Sequence, residues 1–147
     1  DVSGGVVTVT TTSTTAITVN GLNVTTATNT FSITGSGVND VLTGGSGNDT
    51  IIGGSGQDSI RGSAGVDTLT GGLNFDRYRY FNNGESGIGA GNRDIITDFT
   101  AGDTVDLGQF IGGFAFRSGG AGAANFTGSV MQVAYQQIGG NTIVFVD

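Results

Sequence analysis

The chain has 147 residues, 29 of them glycine, and no proline, cysteine, histidine, tryptophan or lysine. Without histidine or cysteine it cannot form a Ser-His-Asp triad, a Cys-His pair or a zinc site of the usual kind. Its net charge of −7 argues against nucleic acid and anionic membranes as partners, and no apolar run approaches the roughly 18 residues of a membrane helix. We therefore expect one domain or two small ones, with no enzyme activity, no nucleic-acid partner and no membrane-spanning segment.

Residues 1–34 are rich in threonine and valine, and β-branched residues at this density favour strands. Apolar and polar residues alternate at 7–10 and 16–19, and Asn20-Gly21 is a turn signal between two such runs. If the repeat phase of the next segment is extended backward, Val24 and Ile33 take the inward position. This segment is predicted to be either metal-free coils that extend the next segment or a separate small sheet. A Thr-rich stalk without a fold of its own is the third alternative.

Residues 35–79 form five consecutive rows of nine residues, and the second and third rows match the pattern G-G-x-G-x-D-x-U-x, where U is a large apolar residue. An apolar or tyrosine side chain follows two residues after each aspartate. A flexible Gly/Ser linker would not keep both features in phase over five rows. The aspartates in phase are Asp40, Asp49, Asp58, Asp67 and Asp76.

Each row can be interpreted as a six-residue turn that ends in aspartate, followed by a three-residue strand with its middle side chain inward. Two rows close one coil, so turns on the same edge are eighteen residues apart. Asp40 would then stack on Asp58, Asp49 on Asp67, and Asp58 on Asp76. Stacked carboxylates repel each other unless a cation lies between them, and carboxylates with turn carbonyls make an all-oxygen site suited to Ca²⁺. The thin core, with one apolar side chain per row, predicts folding coupled to calcium binding.

This run resembles the RTX (repeats-in-toxin) family of calcium-binding β-rolls, most closely over residues 44–61. The resemblance implies about three calcium ions between stacked turns, with one or two more at the ends. It implies carboxylate ligands at the five in-phase aspartates. Backbone oxygens are expected near Gly44, Ser46, Asn48, Gly53, Ser55, Gln57, Gly62 and Ala64. The rows depart from the family pattern at Ser36, Val38, Ser63 and Asn74, which makes the outermost sites the least regular.

Residues 81–147 hold most of the aromatic side chains and are predicted to form a β-sandwich-like cap. Strands are expected at 76–81, 93–99, 104–110 and 114–116, followed by a hairpin of 129–137 and 141–146. Residues 76–107 resemble the region after the repeats in serralysin-type secreted proteases, which caps the roll and carries export information. That resemblance implies a peripheral calcium site at Asp94 and Asp98. The alternative is that these two acids only close turns and strand ends.

The predicted fold class is therefore all-β: a parallel β-roll flanked by a Thr-rich β segment and a C-terminal cap. The first functional hypothesis is a calcium-binding structural module of an exported bacterial cell-surface protein, of the surface-layer or adhesin type. The alternative is the export and folding module of a secreted metalloprotease or lipase with its catalytic domain upstream. Both imply an extracellular or cell-surface location and the type I secretion machinery as a partner, and the first adds self-assembly. Because the chain begins at Asp1 without an apolar leader, we expect a piece of a longer protein.

Overall fold

The computed structural model describes residues 5–22, 29–81, 85–86, 92–107, 115–116, 132–138 and 141–146. Thirteen β-strands occur in this part of the chain, and it contains no helix and therefore none that could cross a membrane. The strands are β1 (Val6–Thr10), β2 (Thr18–Asn20), β3 (Thr30–Thr34), β4 (Val41–Thr43), β5 (Thr50–Ser55), β6 (Ser59–Arg61), β7 (Thr68–Leu73), β8 (Arg77–Arg79), β9 (Ile95–Ile96), β10 (Thr104–Asp106), β11 (Ala115–Phe116), β12 (Gln132–Ile138) and β13 (Asn141–Val146).

Successive rows alternate between two sheets, which makes the repeat region a parallel β-roll. One sheet has the strand order β1-β3-β5-β7-β9-β13-β12-β11 and the other β10-β8-β6-β4-β2. The pairs Leu42↔Ile60 and Ile51↔Leu69 are each eighteen residues apart and parallel. The all-β class and the two-row coil predicted from the sequence are confirmed.

In the repeat rows, each strand contributes one side chain to the core between the two sheets, and Phe31 and Tyr80 are also buried there. In each short strand the middle residue points inward because alternate residues face opposite sides of a sheet. These side chains are at most 1% exposed: Ile33, Leu42, Ile51, Ile60, Leu69, Tyr78 and Ile96. Each coil therefore buries only two large apolar side chains, so the roll has little hydrophobic stabilisation in proportion to its backbone.

The N-terminal strands pair with the roll through both sheets. β1 pairs in parallel with β3, and β2 pairs in parallel with β4. The eighteen-residue spacing does not extend to them, because Val19 and not Val24 stands beside Leu42, twenty-three residues away. Val24 itself lies outside the described residues. β1 and β2 therefore belong to the two sheets of the roll although the nine-residue period does not extend to them.

The two parallel sheets also continue beyond residue 80. β9 pairs with β7 and β10 pairs with β8, each in parallel and at a spacing of twenty-seven residues. The segment predicted to be a cap thus begins as two further strands of the roll. β12 and β13 form the predicted antiparallel hairpin, and β13 pairs with β9.

The neighbouring residues Ile51 and Ile52 provide a direct test of this core. Ile51 is fully buried, whereas Ile52 on the outer face of the same strand is 38% exposed. Truncation of a buried isoleucine costs about 2–5 kcal/mol. We expect Ile51→Ala to unfold at a much lower urea concentration than the unsubstituted chain in excess calcium. Ile52→Ala should unfold within a few tenths of a molar of it, and equal losses for both variants would contradict the described core.

Candidate metal centre

The five in-phase aspartates lie in two stacks, one at each edge of the roll. Each one ends a turn and directly precedes a strand, so the strand register sets its position. Asp40, Asp58 and Asp76 precede β4, β6 and β8, while Asp49 and Asp67 precede β5 and β7. All five are at most 2% exposed. The stacking partners are those that the eighteen-residue spacing predicts.

One oxygen of each carboxylate is fixed by the backbone of the previous coil. The Oδ1 atom of Asp58 accepts a hydrogen bond from the backbone N–H of Asp40 at 2.8 Å. In the same way, Oδ1 of Asp67 accepts the backbone N–H of Asp49 at 2.8 Å, and Oδ1 of Asp76 accepts that of Asp58 at 2.9 Å. The carboxylate of Asp49 likewise accepts the backbone N–H of Phe31, eighteen residues earlier, whereas that of Asp40 accepts the N–H of Ile17, twenty-three residues earlier. These contacts orient the second oxygen of each carboxylate.

The second oxygen, Oδ2, distinguishes the first two rows from the later ones. In Asp40 and Asp49 it accepts the backbone N–H of the residue four positions earlier, at 2.6 and 2.7 Å. In Asp58, Asp67 and Asp76 it is buried and has no donor among the described residues. An unsatisfied buried acceptor costs about 1–3 kcal/mol, and more when it is charged. These three oxygens are therefore the clearest indication that a cation belongs at the turns.

Backbone carbonyl oxygens approach the same places from the next coil. A Cβ atom placed on Gly53 would lie 2.3 Å from Oδ2 of Asp58 and 2.5 Å from the carbonyl oxygen of Gly71. A Cβ atom on Gly44 would lie 2.2 Å from Oδ2 of Asp49 and 2.5 Å from the carbonyl oxygen of Gly62. Glycine is required at the first position of these rows because a side chain would occupy the space between a carboxylate and a carbonyl.

This donor set fits a hard cation with oxygen ligands. Ca²⁺ takes six to eight oxygens in a flexible geometry, whereas Mg²⁺ requires near-octahedral geometry and retains its waters. Within the described ranges, no group of three or more acidic side chains is placed to hold a metal ion. A calcium site here would therefore combine one carboxylate from a turn with backbone carbonyls, as the turns of Asp58, Asp67 and Asp76 allow.

The ladder of carboxylates continues beyond the five predicted members. The Oδ1 atom of Asp94 accepts the N–H of Asp67, and Oδ1 of Asp103 accepts the N–H of Asp76, both at 2.9 Å. The sequence analysis did not assign a role to Asp103 or to Glu85. A signal was present, because acids recur every nine residues from Asp76 through residues 85, 94 and 103. No strand occurs among the described residues between β8 and β9, and the parallel pairing across this interval has a spacing of twenty-seven residues.

Asp98 is in a different environment from Asp94. Its carboxylate accepts hydrogen bonds from the backbone N–H groups of Gly71 and Gly72, at 2.9 and 2.7 Å, and from the hydroxyl of Tyr78 at 2.9 Å. Both oxygens of Asp98 are therefore already engaged by the turn of the fifth row, whereas Asp94 belongs to the ladder.

Glu85, between β8 and β9, is bound to the roll. Its carboxylate forms an ion pair with Arg61 and accepts the backbone N–H of Phe81 at 2.9 Å. This second contact repeats the geometry of the repeat turns, where the carboxylate caps an N–H four residues earlier. The guanidinium groups of Arg61 and Arg79 lie 5.0 and 4.4 Å from the centre of the Phe81 ring. Glu85 therefore holds its turn on the roll with an arginine as its countercharge.

Burial makes the ladder carboxylates weak acids in the absence of a metal. It raises the pKa of Asp58 to about 6, opposed by the hydrogen bond from Asp40 and reinforced by the charge of Asp76. Burial likewise raises the pKa of Asp67 to about 8, with the charge of Asp94 as the next contribution. The pKa of Asp94 is raised to about 7, again chiefly by burial. Protons and a cation therefore compete for these positions near neutral pH.

A pH dependence of known sign follows for the metal-free chain. The folded-state pKa values of Asp58 and Asp67 lie above the unfolded value of 3.8. Their contribution to stability is therefore fully present below about pH 4 and is lost as the pH rises through 6 to 8. We expect the metal-stripped chain to show more β signal by far-UV circular dichroism at pH 5 than at pH 8.5.

Calcium should reverse this trend, because binding requires the deprotonated carboxylates. The calcium concentration at half-saturation, measured by isothermal titration calorimetry, should fall as the pH is raised from 5.5 to 8.5. A metal-free chain that is more stable at pH 8.5 than at pH 5 would contradict the assignment of buried, unpaired carboxylates.

Comparison with known proteins supports the interpretation of these turns. A model of the RTX calcium-binding nonapeptide repeat, which spans four copies, matches the chain twice, over residues 34–69 and 43–78. No curated protein sequence matches the chain. The matched residues are those that form coils β3 to β8, with an aspartate at the end of every turn. The coils of residues 34–78 therefore belong to the RTX family of calcium-binding nonapeptide repeats.

Proposed function

We propose that the turns of this roll bind calcium through Asp40, Asp49, Asp58, Asp67 and Asp76, and that the ions drive its folding outside the cell. RTX repeats of this kind make the chain a calcium-binding structural module. The observation that carries the proposal is the set of buried, donor-free Oδ2 atoms on Asp58, Asp67 and Asp76. About three ions fit the stacked turns, and Asp94 is the member of the peripheral pair best placed to add another.

The energetics of the roll support calcium-coupled folding. Ordering the backbone costs about 1–2 kcal/mol per residue, and each nine-residue row buries one large apolar side chain in return. Burial of unpaired carboxylates adds a further cost, which a divalent cation removes. The extracellular space supplies calcium at concentrations that modules with dissociation constants of about 10⁻⁴–10⁻³ M can detect. The chain would then remain unfolded and able to pass through a type I secretion channel inside the cell.

The wider role that we propose is structural, as part of a bacterial surface layer or adhesin. The Thr-rich strands β1 to β3, which continue the roll without acids at the turns, suit a long repetitive surface protein. The second candidate is the folding module of a secreted metalloprotease or lipase. The resemblance of residues 76–107 to the region after the repeats of serralysin-type proteases favours this candidate. Upstream sequence with H-E-x-x-H or G-x-S-x-G would decide for it.

Electron microscopy of the native full-length protein tests the assembly role. Samples with millimolar calcium should show an ordered sheet or filament that disperses after chelation and re-forms when calcium is restored. Single particles under both conditions would contradict the assembly role and favour the module of a secreted hydrolase.

A further inference from the structure

A groove of about 380 Å³ runs along the flank of the Asp58 stack, beside the start of β6, β8 and β10. Cavities of this size accommodate a small molecule. The groove is lined by the fifth, sixth and seventh residues of alternate rows, because these rows stack on the same edge of the roll. Apart from Asp58 and Asp76, the side chains that line the groove have no role in the calcium sites described above.

Carboxamide and hydroxyl groups form the polar part of the lining. The Oδ1 atom of Asn39 accepts the backbone N–H of Gln57 at 2.8 Å, which leaves the Asn39 amide N–H₂ as a donor toward the groove. The Gln57 side chain is exposed, and Ser59 and Thr104 belong to the same lining. The Ser59 hydroxyl also accepts a hydrogen bond from Arg79, and the Thr104 hydroxyl donates to the carbonyl oxygen of Asp76. Such groups can both donate and accept hydrogen bonds, as a polyhydroxylated ligand requires.

An aromatic ring and a cation complete the groove. Phe75 is 58% exposed, and its ring occupies the space where a Cβ of Gly102 would lie, 2.2 Å from Cδ1 of the ring. One part of the ring is thereby held against the backbone while the rest remains open to a ligand. Arg77 is exposed in the same lining, and no ion pair of its guanidinium occurs within the described residues.

The acids in the lining make the groove dependent on calcium. Asp58 and Asp76 also border it, and as free carboxylates they would repel an anion. When calcium neutralises them, Arg77 is the one formal charge left on the described lining. An aromatic surface, several hydrogen-bonding side chains and one cation then face the same volume.

We propose that this groove binds an acidic sugar, a pyranose with one carboxylate, in the calcium-loaded protein. The carboxylate pairs with Arg77, the apolar face of the ring packs on Phe75, and hydroxyls bond to Asn39 and Gln57. This inference rests on the proposed function in one respect: calcium must neutralise Asp58 and Asp76 before the groove can accept an anion.

The test is an NMR titration of the ¹⁵N-labelled chain in excess calcium with methyl glucuronide, and with methyl glucoside as the matched neutral sugar. We expect shifts of the amides at Ser59, Arg77 and Thr104 with glucuronide, and affinity about tenfold lower for the glucoside. Arg77→Gln should reduce glucuronide affinity about tenfold. Asn39→Ala should weaken it several-fold, whereas Asn48→Ala should not. Asn48 is the matched control because its Oδ1 accepts the N–H of Val66 in the same way on the opposite edge.

Equal affinity for the two sugars, no shifts with either, or equal effects of the two asparagine variants would overturn the groove assignment. Calcium uptake by the same sample, measured first by calorimetry, separates this inference from the proposed function. A sample that binds calcium but not glucuronide overturns the groove alone. A sample that binds no calcium overturns the proposed function and the calcium dependence of the groove together.

Discussion

Replacing Gly53 with alanine is expected to raise the calcium concentration needed for folding by tenfold or more. The added methyl group would lie 2.3 Å from Oδ2 of Asp58 and 2.5 Å from the carbonyl oxygen of Gly71. The carbonyl belongs to a stacked coil and cannot move without shifting a strand. Overpacking of this kind costs about 1–3 kcal/mol, and 1.4 kcal/mol corresponds to a factor of ten.

Gly37 provides the matched control for this substitution. It lies in a turn of the same edge, but a Cβ placed on it meets nothing within 4 Å. Gly37→Ala should therefore fold at the calcium concentration of the unsubstituted chain, as followed by far-UV circular dichroism. If both alanine variants behaved alike, the close approach of carboxylate and carbonyl at Gly53 would not be what restricts that position.

Asp67→Asn is expected to weaken calcium binding without removing the hydrogen bond that fixes the side chain. The amide is nearly the same size as the carboxylate, and its oxygen can keep the hydrogen bond from the N–H of Asp49. The substitution also removes the cost of burying a charged carboxylate, which is the cost that raises the pKa of Asp67 to about 8. Calorimetry should show the loss of about one calcium ion, while the β signal in chelator at pH 8.5 stays level or rises.

Asp98→Asn should have the opposite pattern. Both of its oxygens accept hydrogen bonds from the turn at Gly71, so an amide in this place loses an acceptor and faces an N–H donor. We expect a lower melting temperature in saturating calcium together with an unchanged number of calcium ions. Retention of every calcium ion in Asp67→Asn would contradict the role of its free oxygen.

The period of nine residues was sufficient to predict the coil, because one strict spacing determines both sheets. Leu42, Ile60 and Tyr78 lie in line for that reason alone. Ser63 and Asn74 stand where the repeat pattern has glycine. Both adopt positive φ values, 79° and 82°, that glycine adopts more readily, and these rows therefore still form their turns. The sequence therefore predicted the stacked aspartates and the direction of each core side chain.

Predictions from the sequence were wrong or missing where the nine-residue period ends and individual contacts determine the structure. No spacing rule predicts the ion pair of Glu85 with Arg61 or the change to a spacing of twenty-seven residues between β8 and β10. Val19 replaces Val24 beside Leu42 because the polar residues before β3 carry no period to set the register. The contact of Asp103 with Asp76 could have been predicted from the acids that recur every nine residues, but only by assuming a spacing of twenty-seven residues instead of eighteen.

The most direct test of the account is a calcium titration of this chain followed by far-UV circular dichroism. Buried carboxylates without donors and a core with one side chain from each repeat strand should leave the chain without its β spectrum in chelator. The β signal should then develop cooperatively as calcium is added, with a midpoint of about 10⁻⁴–10⁻³ M, and magnesium at the same concentrations should not replace it. A full β spectrum in chelator, unchanged by calcium, would contradict the claim that the ion completes the fold.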